Sequence, residues 1–328
     1  MKKPLVTALC TLALASALPF SQSGCATLAV ATAPDKKPVE DHTPETYAAE
    51  RAFWTALHGG KYEAIGDALE LYQRSYLANP NAPMTAARIG WLHTWRIAER
   101  ARLEQAPATI TDDLVLGRKY FGEAVRLAPN EPRFAGFYAS LTMGEGAVHK
   151  DEALTRKGYF QMNDAISAWP QFNLFTAGIS VAGLPHDNEL FHEGVERQFE
   201  NLDVCVDEKI DREDGRFDKY MRLETTEGRN RVCWDSWAAP HNLEGFFLHM
   251  GDMLVKEGKV EKAKVAYQNA KLPKNYATWK LKGVLEDRIA HAAEYVAPFR
   301  EENGAHVKDP TKRPWWSSSF ACTGCHQD

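Results

Sequence analysis

Nothing in this sequence gathers its basic residues into a block: 39 lysines and arginines are dispersed among 44 acidic residues, for a net charge of -5. Without a basic stripe there is no phosphate-binding face, which argues against nucleic acid as a partner. There is also no Gly-rich phosphate loop, no G-x-S-x-G elbow and no alternation of strand and helix patterns, so nucleotide hydrolysis, esterase chemistry and a thioredoxin-like fold find no support. Glu189 to His192 is a lone E-x-x-H where a di-iron site needs two. Asp207, Asp211, Asp214 and Asp218 lack the spacing of a calcium loop and read as a solvated charged face. Cysteine is scarce, six in all, and Cys322-x-x-Cys325 has no second C-x-x-C or histidine pair to complete a zinc site. The apolar run from Leu5 to Phe20, broken by Pro19, is too short for a membrane span.

What is present begins with 44% hydrophobic and 11% aromatic residues, enough for a large core. Lys2-Lys3, the short apolar run and a small-residue exit at Gly24-Cys25 describe a secretory leader over residues 1–24. The stretch QSGC resembles the lipobox of bacterial lipoproteins, which implies lipidation of Cys25 and an outer-membrane lipoprotein. Gln22 stands where that pattern carries an apolar residue. The alternative is cleavage after Ala29–Ala31, which leaves a soluble periplasmic protein touching no membrane. Residues 25–44 read as an extended tether.

Export makes the remaining cysteines informative. Cys205 and Cys233 are natural disulfide partners in an oxidising compartment, stabilising by about 3–4 kcal/mol on the chain-entropy model; two buried free thiols are the other possibility.

A repeat runs along residues 45–297. Ala68, Tyr72, Ser75 and Pro80 share their spacing with Gly117, Phe121, Ala124 and Pro129, and with Gly158, Met162, Ala165 and Pro170. Ala263, Tyr267 and Ala270 repeat it again, with Asn275 in place of proline, preceded by Phe247, Met250, Gly251, Leu254 and Gly258. Small residues one turn apart admit a neighbouring helix, the bulky residue between them fills the gap, and proline stops the helix. The pattern resembles the tetratricopeptide repeat, which implies an all-α solenoid of helix pairs with a groove that holds a peptide or partner protein. The units are longer than the usual period, so the solenoid is irregular, and residues 205–232 form a charged insertion.

The tail, residues 298–328, ends in CTGCH. C-x-x-C-H is similar to the attachment sequence of c-type haem, which implies one covalent haem bonded to Cys322 and Cys325 with His326 on the iron. Soluble cytochromes c fold a domain after this motif, whereas here only Gln327 and Asp328 follow, so upstream residues must shelter the group. Trp315, Trp316 and Phe320 are candidates to pack on the porphyrin, or else pin the tail. His241 is a candidate second iron ligand.

The expectation is an exported monohaem electron carrier that docks a redox partner. No distal acid–base set accompanies the motif, which points away from an enzyme. Two alternatives stay open: a binding scaffold whose tail cysteines are structural, and a haem enzyme or gas sensor with an open iron site.

Overall fold

Proline opens every second helix of the N-terminal half. Its missing N–H costs nothing in the first turn and its fixed φ suits a helix start. Thus α1 spans Pro44–His58, α3 Pro83–Ala98, α5 Pro132–His149 and α7 Pro170–Val181, alternating with α2 Ile65–Ala78, α4 Asp112–Leu127, α6 Glu152–Ala168 and α8 Glu189–Val206. Thr43 caps α1 by accepting from the Thr46 amide at 3.2 Å, and Asp151 and Asn188 cap α6 and α8 similarly. After a segment of 3-10 turns come α9 Asn242–Glu257, α10 Val260–Asn269, α11 Lys282–His291, α12 Val296–Arg300 and a last short turn, α13 Thr323–His326. Gly258 ends α9 at φ 93°, a left-handed conformation that a side chain would strain.

This is a computed structural model, and it describes residues 31–32 and 35–328. Residues 38–328 cluster as one compact unit. The proposed leader, the Cys25 lipidation site and residues 26–30 and 33–34 of the tether lie outside the described residues. Among the described residues the fold is all-α, without a strand, and no helix is long and apolar enough to cross a membrane.

Consecutive helices pack in pairs: α1 with α2, α3 with α4, α5 with α6, α7 with α8, α9 with α10. Two pairs share one device. A Cβ on Gly90 of α3 would lie 2.6 Å from the Phe121 ring of α4, and one on Gly251 of α9 would lie 2.1 Å from the Tyr267 ring of α10. Glycine there lets an aromatic ring lie directly on the partner backbone. Ala68, Tyr72, Phe121, Ala124, Met162, Ala263, Tyr267 and Ala270 are all fully buried. Buried apolar residues gather in successive clusters along the chain, the largest running from α8 to the tail.

The segment between α8 and α9 differs from a purely solvated face. Phe217 and Tyr220 are buried in the core, and the Phe217 amide donates to Asn269 Oδ1 at 3.1 Å. Its charges stay at the rim, where Arg212 bridges Asp203 and Glu196. Cys205 and Cys233 tie the segment back to α8, with sulfurs 1.98 Å apart.

Candidate functional site

Four parts of the chain hold the CTGCH turn. Glu99, at the end of α3 and fully buried, accepts from the amides of Cys322 and Thr323 at 2.8 and 2.7 Å and from the Thr323 hydroxyl at 2.9 Å. Arg102 pairs with the other Glu99 oxygen at 2.7 Å and donates to Thr323 Oγ1 at 3.0 Å, so the buried carboxylate is both hydrogen-bonded and neutralised. On the other side the His241 amide donates to the Cys325 carbonyl and the Trp279 indole to the Gly324 carbonyl. The Asp328 amide donates to the His58 carbonyl at the end of α1. A Cβ on Gly324 would fall 2.2 Å from Trp315, and one on Gly245 of α9 would fall 2.3 Å from the Cys325 sulfur. Glycine at both positions is what lets turn and helix meet.

Both thiols of the turn are unbonded. Cys325 is buried with its sulfur 3.9 Å from the Asn242 carbonyl, and Cys322 is half-buried against the α1–α3 cluster. Burial pushes both thiols well above the ordinary range, reinforced by Glu99 at Cys322 and by Glu244 and Asp235 at Cys325. A thiol used for disulfide exchange needs the opposite, a stabilised and accessible thiolate.

His326 is better placed for ligation. A carbonyl only accepts, so the 2.7 Å contact with Ala238 O fixes the proton on Nδ1 and leaves Nε2 with its lone pair. Burial lowers its pKa, which keeps the ring neutral, the form a metal needs. A backbone carbonyl orienting the second ring nitrogen is the usual support of a ligating histidine.

His326 lines a cavity of about 650 Å³ walled by Phe137, Phe172, Phe175, Phe246, Trp169 and Trp237. That volume lies within the range of small-molecule and cofactor sites. Helices α3, α5, α7, α8 and α9 each contribute to the wall, and so does the segment before α9. Arg133 and Arg231 bring charge to it, and Trp237, 68% exposed, packs at a tilt against Trp54 with ring centroids 4.6 Å apart.

The other sequence candidates lie elsewhere. Trp315 and Phe320 are buried with ring centroids 5.5 Å apart, and Trp316 donates its indole N–H to Asn303 at 2.9 Å. None of the three lines the cavity; Trp315 and Trp316 flank His249 instead. His241 is buried, its Nδ1 3.0 Å from Glu244 Oε1, and it too lies outside the cavity lining. Burial raises Glu244 to about 7, and burial plus the Glu244 charge raises Asp235 to about 8, so these carboxyls hold protons near neutrality. Glu99, Arg231 and Trp237 escaped the sequence reading. The one signal was the tryptophan-rich run CWDSWAAPH that ends at His241.

A c-type haem makes three demands here: free thiols, a histidine nitrogen facing open space, and an apolar cleft of cofactor size. Cys322 and Cys325 are free, His326 offers Nε2, and the aromatic cavity supplies the cleft. Of the motif only His326 lines the cavity: Cys325 touches Asn242, which lines it, and Cys322 packs against the α1–α3 cluster, so the imidazole and the apolar wall fit the group while the two sulfurs stand outside the lining. Among the described residues no three His, Cys, Asp or Glu side chains converge on a bare metal ion. No protein family, curated protein or solved structure matches the chain.

Proposed function

We propose that this chain is an exported monohaem c-type electron carrier built on an irregular tetratricopeptide-like solenoid. The observation that carries the reading is His326, with Nδ1–H committed to Ala238 and Nε2 left free, beside an aromatic cavity of about 650 Å³. The solenoid reading is supported by the helix pairs and by the glycine-on-ring contact shared by α3–α4 and α9–α10. Wall residues come from α3, α5, α7 and α9, the first helices of successive pairs, together with Asn201, Leu202 and Cys205 of α8, and His326 brings the tail to the same wall.

Haem bound there supplies one-electron transfer at its iron. His326 would hold the iron, Ala238 fixes the ring orientation, Glu99 and Arg102 clamp the turn, and the aromatic wall would exclude water. Cys322 and Cys325 are the attachment points. A redox partner protein, or a peptide in the repeat groove, docks on the carrier. The bonded Cys205–Cys233 pair accords with an oxidising compartment, the periplasm or, with Cys25 lipidated, the outer membrane.

Expression with a cytochrome c maturation system should give haem that survives denaturation and a pyridine haemochrome spectrum. Cys322→Ala should lower the covalent fraction, and His326→Ala should alter the spectrum of whatever haem remains. Full-length folded protein without covalent haem would end this reading. It would favour the second one, a binding scaffold in which Cys325 is a packing residue against Gly245.

A further inference from the structure

At one part of the cavity the positive charge exceeds what the protein neutralises. Arg231 and Arg229 flank Trp169, their guanidiniums 5.0 and 5.6 Å from its ring; Arg231 and Arg133 line the cavity, and Arg229 lines the adjoining cleft. Glu131 answers Arg133 through two parallel hydrogen bonds of 2.9 and 2.7 Å. Its pKa is lowered mainly by Arg133, against the raising effect of burial, with Arg231 acting only through space. Arg229 and Arg231 bond backbone carbonyls, of Ala168 and Gly228, and form no ion pair among the described residues. Asp164 lies across the neighbouring cleft that Arg229 and Arg231 also line. Both arginines are exposed, while the rest of the cavity is mostly aromatic and apolar.

A cavity with an apolar interior, an imidazole and the exposed Arg231 guanidinium at its rim, with Arg229 in the adjoining cleft that shares Arg231 and Trp169, is complementary to a flat apolar molecule bearing carboxylates at one edge. Guanidinium–carboxylate pairs are charge-assisted, and a planar fork recognises a carboxylate with two parallel bonds. We infer that Arg231, with Arg229 beside it, is the carboxylate-binding rim of this cavity, and that the cavity takes a porphyrin dicarboxylate. The inference rests on the proposed function for the class of occupant, since haem carries two such carboxylates. Covalent attachment through the thiols is a separate matter.

The test uses the full-length chain carrying Cys322→Ala and Cys325→Ala, so that nothing attaches covalently. Deuteroporphyrin IX and its dimethyl ester are titrated in turn, followed by porphyrin fluorescence and quenching of tryptophan emission. The diacid should bind roughly tenfold more tightly than the ester. Arg229→Gln with Arg231→Gln should abolish that preference, and Arg231→Lys should retain part of it. Equal affinity for diacid and ester, no binding of either, or unchanged diacid affinity in the double variant would each overturn the inference. The ester comparison on the parent chain requires no arginine variant to fold, and circular dichroism checks the variants. If maturation fails to attach haem while the diacid preference holds, the carrier reading falls and the rim stands. If haem attaches but the preference is absent, the reverse follows.

Discussion

His249 occupies an unusual position for an imidazole. It is fully buried on α9, both ring nitrogens lack a hydrogen-bond partner, and its ring is flanked by Phe175, Trp315 and Trp316. Burial alone pulls its pKa down to about 3 from 6.5. The folded state therefore refuses a proton that the unfolded chain accepts below pH 6.5. Stability from this residue is undiminished above 6.5 and falls as the pH drops towards 3, by about 1.4 kcal/mol per unit. Between pH 6.5 and pH 5 the parent should lose about 2 kcal/mol more than His249→Leu, in which the other titrating groups are the same. Urea denaturation of the two chains across that range measures the difference, and parallel curves would refute it. An unpartnered imidazole here cannot be read from sequence, because in FFLHMGDM it occupies an ordinary helical position and only the folded tail supplies the tryptophans around it.

At the level of elements, the helix pairs were legible where a local rule dictates them. Ala68-Tyr72-Ser75 and its counterparts pack as their spacing implies, because a small-large-small stripe can bury itself only against a neighbouring helix. The segment 207–241 was not legible. Its 3-10 turns are fixed by distant partners, such as Phe217 on Asn269 and Asn230 on the Cys205 carbonyl, which leave no periodicity. For the candidate site, CTGCH was plain as a motif, but its cavity is assembled from α3, α5, α7, α8 and α9, and no local pattern announces that. Two glycines test the packing rule with opposite signs. Gly251→Ala forces a Cβ to 2.1 Å from the Tyr267 ring and should cost about 1–3 kcal/mol by overpacking. Gly283→Ala, near the start of α11, meets nothing within 4 Å and should stabilise by about 0.5 kcal/mol through helix propensity. Denaturation midpoints distinguish the two, and a neutral Gly251→Ala would mean that this helix pair is looser than the contact implies.

Over the whole molecule, the tail is keyed into the last helix pair by one buried charge pair. Asp252 of α9 accepts from Tyr267 Oη at 2.7 Å and Arg288 Nε at 3.0 Å, and its second oxygen accepts from the Trp315 amide at 2.9 Å. Arg288 of α11 is itself fully buried and donates to the carbonyls of Arg313 and Thr311, so the pair joins α9, α10, α11 and the tail. Removing one partner leaves the other charged and unpaired in the core. Arg288→Met should therefore cost about 3–5 kcal/mol, and Asp252→Asn nearly as much. The double variant should lose clearly less than the two costs added, because neither charge is then stranded. The same pair holds Trp315, and Trp315 lies against Gly324 of the CTGCH turn. In the haem-free chain, Cys322 and Cys325 should resist a maleimide in the parent and react in Arg288→Met under conditions where both chains remain helical. Equal protection of the thiols in both would show that Glu99 and Arg102 hold the turn unaided, and that the key at Asp252 serves stability alone.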